Sequence, residues 1–278
     1  MSLISQETHH VKNGKMSGHS SYNSESMSCE SKDMMDYGNY ISGICFRYIK
    51  PLTVLPRVYD WGDRLLRSVG VYLDVINTRL PDNDQTMKNR LREICKMPRM
   101  STLAIGAMIN YGVSQMPDTL TFVNVGVWHG FSLLSGMSGN AGKRCVGIDN
   151  FVWFGRPRKA FFERFNKYKS SNHYFYEMDY REYFSRVHKD PIGFYVYDGP
   201  HGYDDQLRGL QMAEPFFSQS CIILVDDTNW DDPRRATMDF IAQSSYEYRI
   251  LLDRTTSRNG HPTFWNGIMI IQRINEKN

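Results

Sequence analysis

The chain has 278 residues, 41% of them hydrophobic, which is enough for one large domain or a domain with extensions. Its 33 basic and 30 acidic side chains give a formal charge of +3, a near balance that offers no footprint for a nucleic acid or an anionic membrane. The five cysteines, Cys29, Cys45, Cys95, Cys145 and Cys221, are widely spaced and form no CxxC pair, so neither a disulfide framework nor a zinc site is indicated and a reducing compartment fits.

No apolar run approaches the roughly 20 residues that span a bilayer, and the N-terminus lacks the apolar stretch of a secretion signal. A cytoplasmic protein is expected. Residues 1 to about 40 are rich in Ser, Asn, His, Met and Gly, a composition that buries too little apolar surface to offset chain entropy, and are predicted to be a disordered tail. Its histidines His9, His10 and His19 follow no ligand pattern. Residues 41–100 turn apolar at helical spacing (Trp61, Leu65, Leu66, Val69) and read as a helical accessory segment, with a charged helix from Asn83 to Lys96. Ser101 is placed to cap the next helix, which carries Leu103, Ile105, Met108, Ile109 and Val113.

From Thr121 onward the chain reads TFVNVGVWHGFS: a short apolar run, a break at Gly126, and a helical start after Gly130. A strand, a glycine turn and a helix N-terminus bring a bare backbone and unpaired N–H groups close to a ligand. Strands and helices then alternate with short connections. Strands are expected at Cys145–Asp149, Tyr174–Met178, Gly193–Asp198 and Cys221–Asp226, and helices at Pro157–Tyr168, Tyr180–Val187, Asp204–Phe217 and Asp231–Ser244. The last two strands, Tyr248–Asp253 and Trp265–Gln272, have only a polar loop between them and should pair antiparallel. Ligands of such sheets bind beyond the carboxyl ends of the strands. Gly126, Asp149, Asp179, Asp198, Asp226 and Asp227 all fall there.

A carboxylate at the position of Asp149 meets ribose hydroxyls in dinucleotide-type folds, so a nicotinamide dinucleotide is one candidate ligand. Against it, Trp128 and Phe131 stand where a dinucleotide turn has its second and third glycines. The ordered set NVGVWHGFS, VGIDNF, EMDYREYF, YVYDGPHGYDDQLRGL and IILVDDTNW resembles the class I S-adenosylmethionine-dependent methyltransferases over roughly residues 101–273. Its phrasing is closest to macrocin-type small-molecule O-methyltransferases and the similar cephalosporin hydroxylase group. The resemblance implies an α/β, Rossmann-like, seven-stranded sheet, mostly parallel with an antiparallel last strand and helices on both faces, preceded by the N-terminal extension. It implies that Asn124, Gly126, Trp128, Gly130, Phe131 and Ser132 line the methionine part of S-adenosylmethionine, that Asp149 takes the ribose, and that Met178 and Asp179 hold the adenine. The family usually has an acid where Asn124 stands, and a neutral amide gives up attraction to the donor's ammonium.

Asp198, Asp226 and Asp227 are three carboxylates at adjacent strand ends. They repel unless something positive lies between them, and hard oxygens suit Mg²⁺ or another divalent cation, which would lower the pKa of an acceptor hydroxyl. The alternative is that Asp226 caps a loop, Asp227 is solvated and Asp198 serves the donor. In matching positions the relatives hold a metal. His201, in AspGlyProHis, has a side chain able to take the acceptor's proton, or else is a loop histidine bound to backbone. His129 reads as a pocket wall or an exposed residue. Trp153, Phe154 and the basic run 156–159 either close over the ligand or open a solvated helix, and Trp230 with the loop 255–265 would wall the acceptor. The expected activity is methyl transfer to a small-molecule hydroxyl. An oxygenase of the cephalosporin hydroxylase kind and a non-catalytic donor- or partner-binding fold are the rivals. A homo-oligomer is compatible with all three.

Overall fold

The computed structural model describes residues 37–81, 85–152, 155 and 157–276. The predicted tail up to residue 36, with its histidines, lies outside them, as do Trp153, Phe154 and Arg156. Among the described residues no helix is long and apolar enough to cross a membrane.

Seven strands form the main sheet: β1 (Thr121–Val125), β2 (Arg144–Ile148), β3 (His173–Tyr176), β4 (Ile192–Tyr197), β5 (Phe217–Asp226), β6 (Tyr246–Arg254) and β7 (Ile268–Glu276). Their spatial order is β3-β2-β1-β4-β5-β7-β6. The first five run parallel, and β7 is inserted antiparallel between β5 and β6. The order reverses between β1 and β4, which opens the crevice at their carboxyl ends.

Side-chain alternation assigns the two faces. Phe122 in β1 and Phe194 in β4 point toward one core layer, packed by α1 (Leu103–Gln115), α2 (Phe131–Met137) and α3 (Arg158–Tyr168). Val123 and Tyr195 face the other layer, packed by α4 (Tyr180–Arg186), α5 (Tyr203–Ala213) and α6 (Asp231–Gln243). A sheet buried on both faces explains the near-continuous apolar runs of β1 and β4. β5 begins four residues earlier than the apolar run suggested, because Ser218 to Ser220 alternate at a half-exposed edge rather than breaking the strand.

The segment before α1 is fastened to the sheet domain. Residues 37–43 are helical, and Tyr40 stacks on Tyr111 of α1 with ring centroids 3.8 Å apart. Helices Tyr59–Ser68, Leu73–Asn77 and Gln85–Ile94 follow, with a two-residue ladder between Cys45–Phe46 and Thr78–Arg79. Ser101 does not cap α1. The N-cap position falls to Thr102, whose hydroxyl instead donates to the Thr263 carbonyl at 2.6 Å. The first free amide, Leu103 N–H, donates to Asp74 Oδ2 at 2.8 Å. Asp74 Oδ1 in turn accepts from Arg99 at 2.7 Å, and both side chains are fully buried. Arg99 lies between the Tyr72 and Phe131 rings, 5.1 and 5.5 Å from their centroids. A helix N-terminus favours a carboxylate, and here the carboxylate comes from a distant helix.

Candidate active site

A cavity of about 800 Å³ opens over the carboxyl ends of β1, β2, β4 and β5, within the usual range for small-molecule sites. Of the residues singled out in the sequence, Gly126, Trp128, Phe131, Ser132, Asp149, Met178, Asp179, Asp198, His201, Asp226 and Asp227 line it. Asn124 and Gly130 do not.

Backbone geometry shapes one half. Gly126 has φ +77°, and a Cβ there would lie 1.8 Å from the Asp198 carbonyl oxygen, so no side chain fits where β1 and β4 separate. Gly130, φ +101°, is the N-cap of α2 and supports the turn from behind, against the Phe161 ring. Asp149 binds this turn tightly: its Oδ2 accepts from Val127 N–H and Trp128 N–H, each at 2.9 Å, and its Oδ1 accepts from Phe151 N–H at 2.7 Å. Trp128 adopts φ +45°, a left-handed conformation that this pair of hydrogen bonds holds in place.

Asn124 is placed differently from the residues that line the cavity. It is fully buried on the α1 to α3 face of β1, beside Phe122 in parity. Its amide donates to the Val125 and Gly126 carbonyls at 3.2 and 3.1 Å. The side-chain amide braces the turn from inside, and Oδ1 is buried without a partner among the described residues. An amide can donate to carbonyls where a carboxylate cannot, which accounts for Asn at this position. Asp179 caps α4: its Oδ1 accepts from Arg181 N–H at 2.8 Å and its carboxylate is bidentate with the Arg181 guanidinium. That hydrogen bonding holds its carboxyl below the usual range. His129 sits behind the turn, with Arg164 at 2.9 Å from Nδ1, and burial lowers its pKa.

The other half is built from side chains. His201 Nε2 lies 3.0 Å from Asp227 Oδ2 and 3.8 Å from Asp198 Oδ1, while the ring packs edge-on to Trp230 at 5.4 Å. Its Nδ1 is buried without a partner among the described residues. Asp227 takes φ +58° at the end of β5, and its Oδ1 accepts from Asn266 Nδ2 at 2.7 Å. Asp226, 6% exposed, accepts from the Asp227 amide at 2.9 Å. Burial, then repulsion from Asp226, Asp227 and Asp149, drives the Asp198 carboxyl well above its ordinary value. Burial and Asp227 do the same to Asp226. Burial raises Asp227 too, with His201 and Asn266 pulling the other way. Burial lowers the His201 pKa, and Asp227 partly offsets this.

The three acids therefore do gather, yet their arrangement does not fit the expected Mg²⁺. Among the described residues no group of three or more His, Cys, Asp or Glu side chains is disposed to hold a metal ion. The physical reason lies in the oxygens: one from Asp226 accepts a backbone N–H, and both from Asp227 face Asn266 and His201. Asn266 escaped the sequence reading because nothing local marks it. It reaches the acids through the turn 261–265, whose ends pair at His261 and Trp265 and present Asn266 to Asp227 and to Gly260 N–H. Trp230 and Trp265 also line the cavity.

Residues 123–228 match the family model described as a methyltransferase domain. Among curated proteins, none matches the chain in sequence. Solved structures with the same fold include cofactor-bound Rv0187 from MTB, with TM-score 0.53 and 11% identity over 81% of this chain and 100% of that one. The O-methyltransferase from Bacillus cereus in complex with SAH has TM-score 0.51 and 12% identity over 78% and 100%. The SAH-bound methyltransferase of Podospora anserina has TM-score 0.51 and 15% identity over 81% and 99%. At these identities the likeness establishes the fold alone.

Proposed function

We propose that this chain is a class I S-adenosylmethionine-dependent methyltransferase that transfers the methyl to a hydroxyl of a small molecule such as a sugar or a secondary metabolite. The observation that carries this reading is the His201–Asp227 contact beside Asp198, set in the same cavity as the glycine turn. The donor supplies an electrophilic methyl group on a sulfonium. Gly126, Trp128, Phe131 and Ser132 would hold its methionine part, and Met178 and Asp179 its adenine. Asp149 has committed each oxygen to backbone N–H groups, and its remaining lone pairs would take the ribose hydroxyls.

The acceptor hydroxyl would sit between the turn and the acids, walled by Trp230 and Trp265. Alignment of its oxygen with the methyl supplies most of the rate, as it does whenever two reactants are held in line. As the new C–O bond forms, the sulfonium S–CH₃ bond breaks to leave a neutral thioether, and the hydroxyl proton passes to Asp198. Of the three acids that carboxylate is the most open to the cavity, and the neighbouring charges of Asp226 and Asp227 favour its taking up a proton. His201, with Nε2 turned toward both Asp198 and Asp227, then shares the proton with the set. No step runs through a metal. The acids carry oxygens of the right chemistry for Mg²⁺, but their side chains would have to turn away from Asn266 and His201 to converge on it.

Calorimetry with S-adenosylmethionine, followed by transfer assays on a panel of hydroxyl acceptors with EDTA or added Mg²⁺, tests the reading. Binding with metal-independent transfer supports it. Absence of donor binding at millimolar concentration removes it, and consumption of oxygen without methyl transfer replaces it with the oxygenase reading. Activity that EDTA abolishes and Mg²⁺ restores would assign the acids to a metal after all.

A further inference from the structure

Apolar surface is not spread evenly over this molecule. Leu52, Val54, Val58, Trp61, Leu65 and Val69 are all between 52% and 85% exposed, and helix Tyr59–Ser68 has no buried residue. One face of the helix is half-buried through Gly62, Asp63, Leu66 and Arg67, and the opposite face leaves its apolar side chains in water, the kind of exposed apolar stripe that marks a contact surface. Val58, Trp61, Leu65 and Val69 follow each other at steps of three and four, so they form one stripe along the helix.

Charge then selects the partner. The two acids of the helix are already engaged: Asp63 with Arg67 at 2.6 Å, and Asp60 with Arg258 at 2.6 Å. Arg64, at the edge of the stripe by helical phase, and Arg57, in the turn just before the helix, are both exposed and form no ion pair with a described residue. The Arg64 Nε donates only to the Asp60 carbonyl. An antiparallel second copy would bring these arginines toward one another with no free acid on the helix to meet them. An anionic lipid surface offers both an apolar layer for the stripe and phosphates for the arginines. The overall charge balance of the chain conceals this local excess.

We propose that residues 52–69 dock peripherally on an anionic bilayer, with Trp61 and Leu65 inserted at the interface and Arg57 and Arg64 on the headgroups. The docked segment is tied to the cavity wall. Ser257 N–H donates to the Pro51 carbonyl at 3.0 Å and Ser257 Oγ to the Thr53 carbonyl at 2.7 Å, and Arg258 carries the Asp60 ion pair. Asn259 and Gly260, next in sequence, line the cavity. Docking therefore holds the cavity loop close to the lipid, where an acceptor dissolved in the membrane would be met.

Vesicle flotation with the full chain tests this, comparing phosphatidylcholine vesicles with vesicles containing phosphatidylserine. The expected result is salt-sensitive binding to the anionic vesicles, with a blue shift of tryptophan emission that W61F diminishes. The double variant R57Q/R64Q, altered only at exposed positions, should bind roughly tenfold or more weakly with an unchanged melting temperature. Failure of the wild-type chain to float with anionic vesicles overturns the proposal. So does a dimer in light scattering that Leu65→Ser dissociates, which would give the stripe to a second copy. Neither result touches the methyltransferase reading, which donor calorimetry tests independently.

Discussion

The two halves of the cavity are built on opposite principles. Around the glycine turn most polar groups are already engaged: Asp149 accepts three backbone N–H groups, the Asn124 amide braces two carbonyls while its Oδ1 is left without a partner among the described residues, and Asp179 caps its helix and pairs with Arg181. Around His201, three acids lie together with one imidazole among them, and burial raises the pKa of each acid. One half is largely self-satisfied and shapes a surface. The other stores unfavourable electrostatics that catalysis can draw on, in keeping with perturbed groups clustering at reactive sites.

The contrast breaks hardest at Gly126. Gly126→Ala forces a Cβ into the Asp198 carbonyl and an L-residue into a left-handed conformation. We expect more than about 3 kcal/mol of destabilisation and no measurable donor binding, read by thermal melting and calorimetry. The next largest effect separates the halves cleanly. Asp198→Asn and His201→Ala should each lower kcat by about 10² to 10⁴ and leave donor Kd within a few-fold. A parallel loss of donor affinity would show that the halves are one unit.

Asp149→Asn probes the self-satisfied half. An amide in this place cannot accept from Phe151 N–H and both turn amides at once, so donor Kd should rise about tenfold, the cost of one charge-assisted hydrogen bond, with kcat little changed. Asp226→Asn should have the smallest effect on folding and the opposite sign. Because the Asp226 pKa is raised in the folded state, the folded chain holds this proton more tightly than the unfolded chain. Stability is therefore fullest below an ordinary aspartate pKa of about 4 and falls as pH rises toward the raised value. Removing the charge should raise the apo melting temperature at pH 7 by about 2–4 °C for each kcal/mol gained, with no gain at pH 4. An unchanged or lower melting temperature at pH 7 would mean that Asp226 is neutralised some other way.

Local pattern made the sheet readable. The runs ending at Val125, Ile148, Tyr197 and Asp226 are buried on both faces, and such strands announce themselves as apolar stretches followed by a polar stop. Asp198, Asp226, Asp227 and His201 were legible for the same reason, since position at a strand's carboxyl end needs no knowledge of distant contacts. Orientation was not legible. Nothing in the sequence says that Asn124 faces the α1 to α3 core, that Asp149 spends its oxygens on the turn, or that the oxygens of Asp227 turn to Asn266 and His201 rather than to a shared cation. Each depends on a partner far along the chain or on which of two faces a residue takes. The Asp74 cap of α1 was illegible likewise, because Ser101 is the better local candidate and only tertiary packing overrides it.

That cap has a consequence for how the protein can be taken apart. A cut between residues 100 and 101, where composition changes, would leave Leu103 N–H without its acceptor, and would remove Arg99 from beside Phe131 at the cavity floor. A recombinant fragment starting there would enter solution with a frayed α1 and an unsupported wall. The shortest piece worth expressing therefore starts upstream of Asp74. Insertions or fusions would be better tolerated at exposed Gly70, the turn just before that helix, than at the apparent seam.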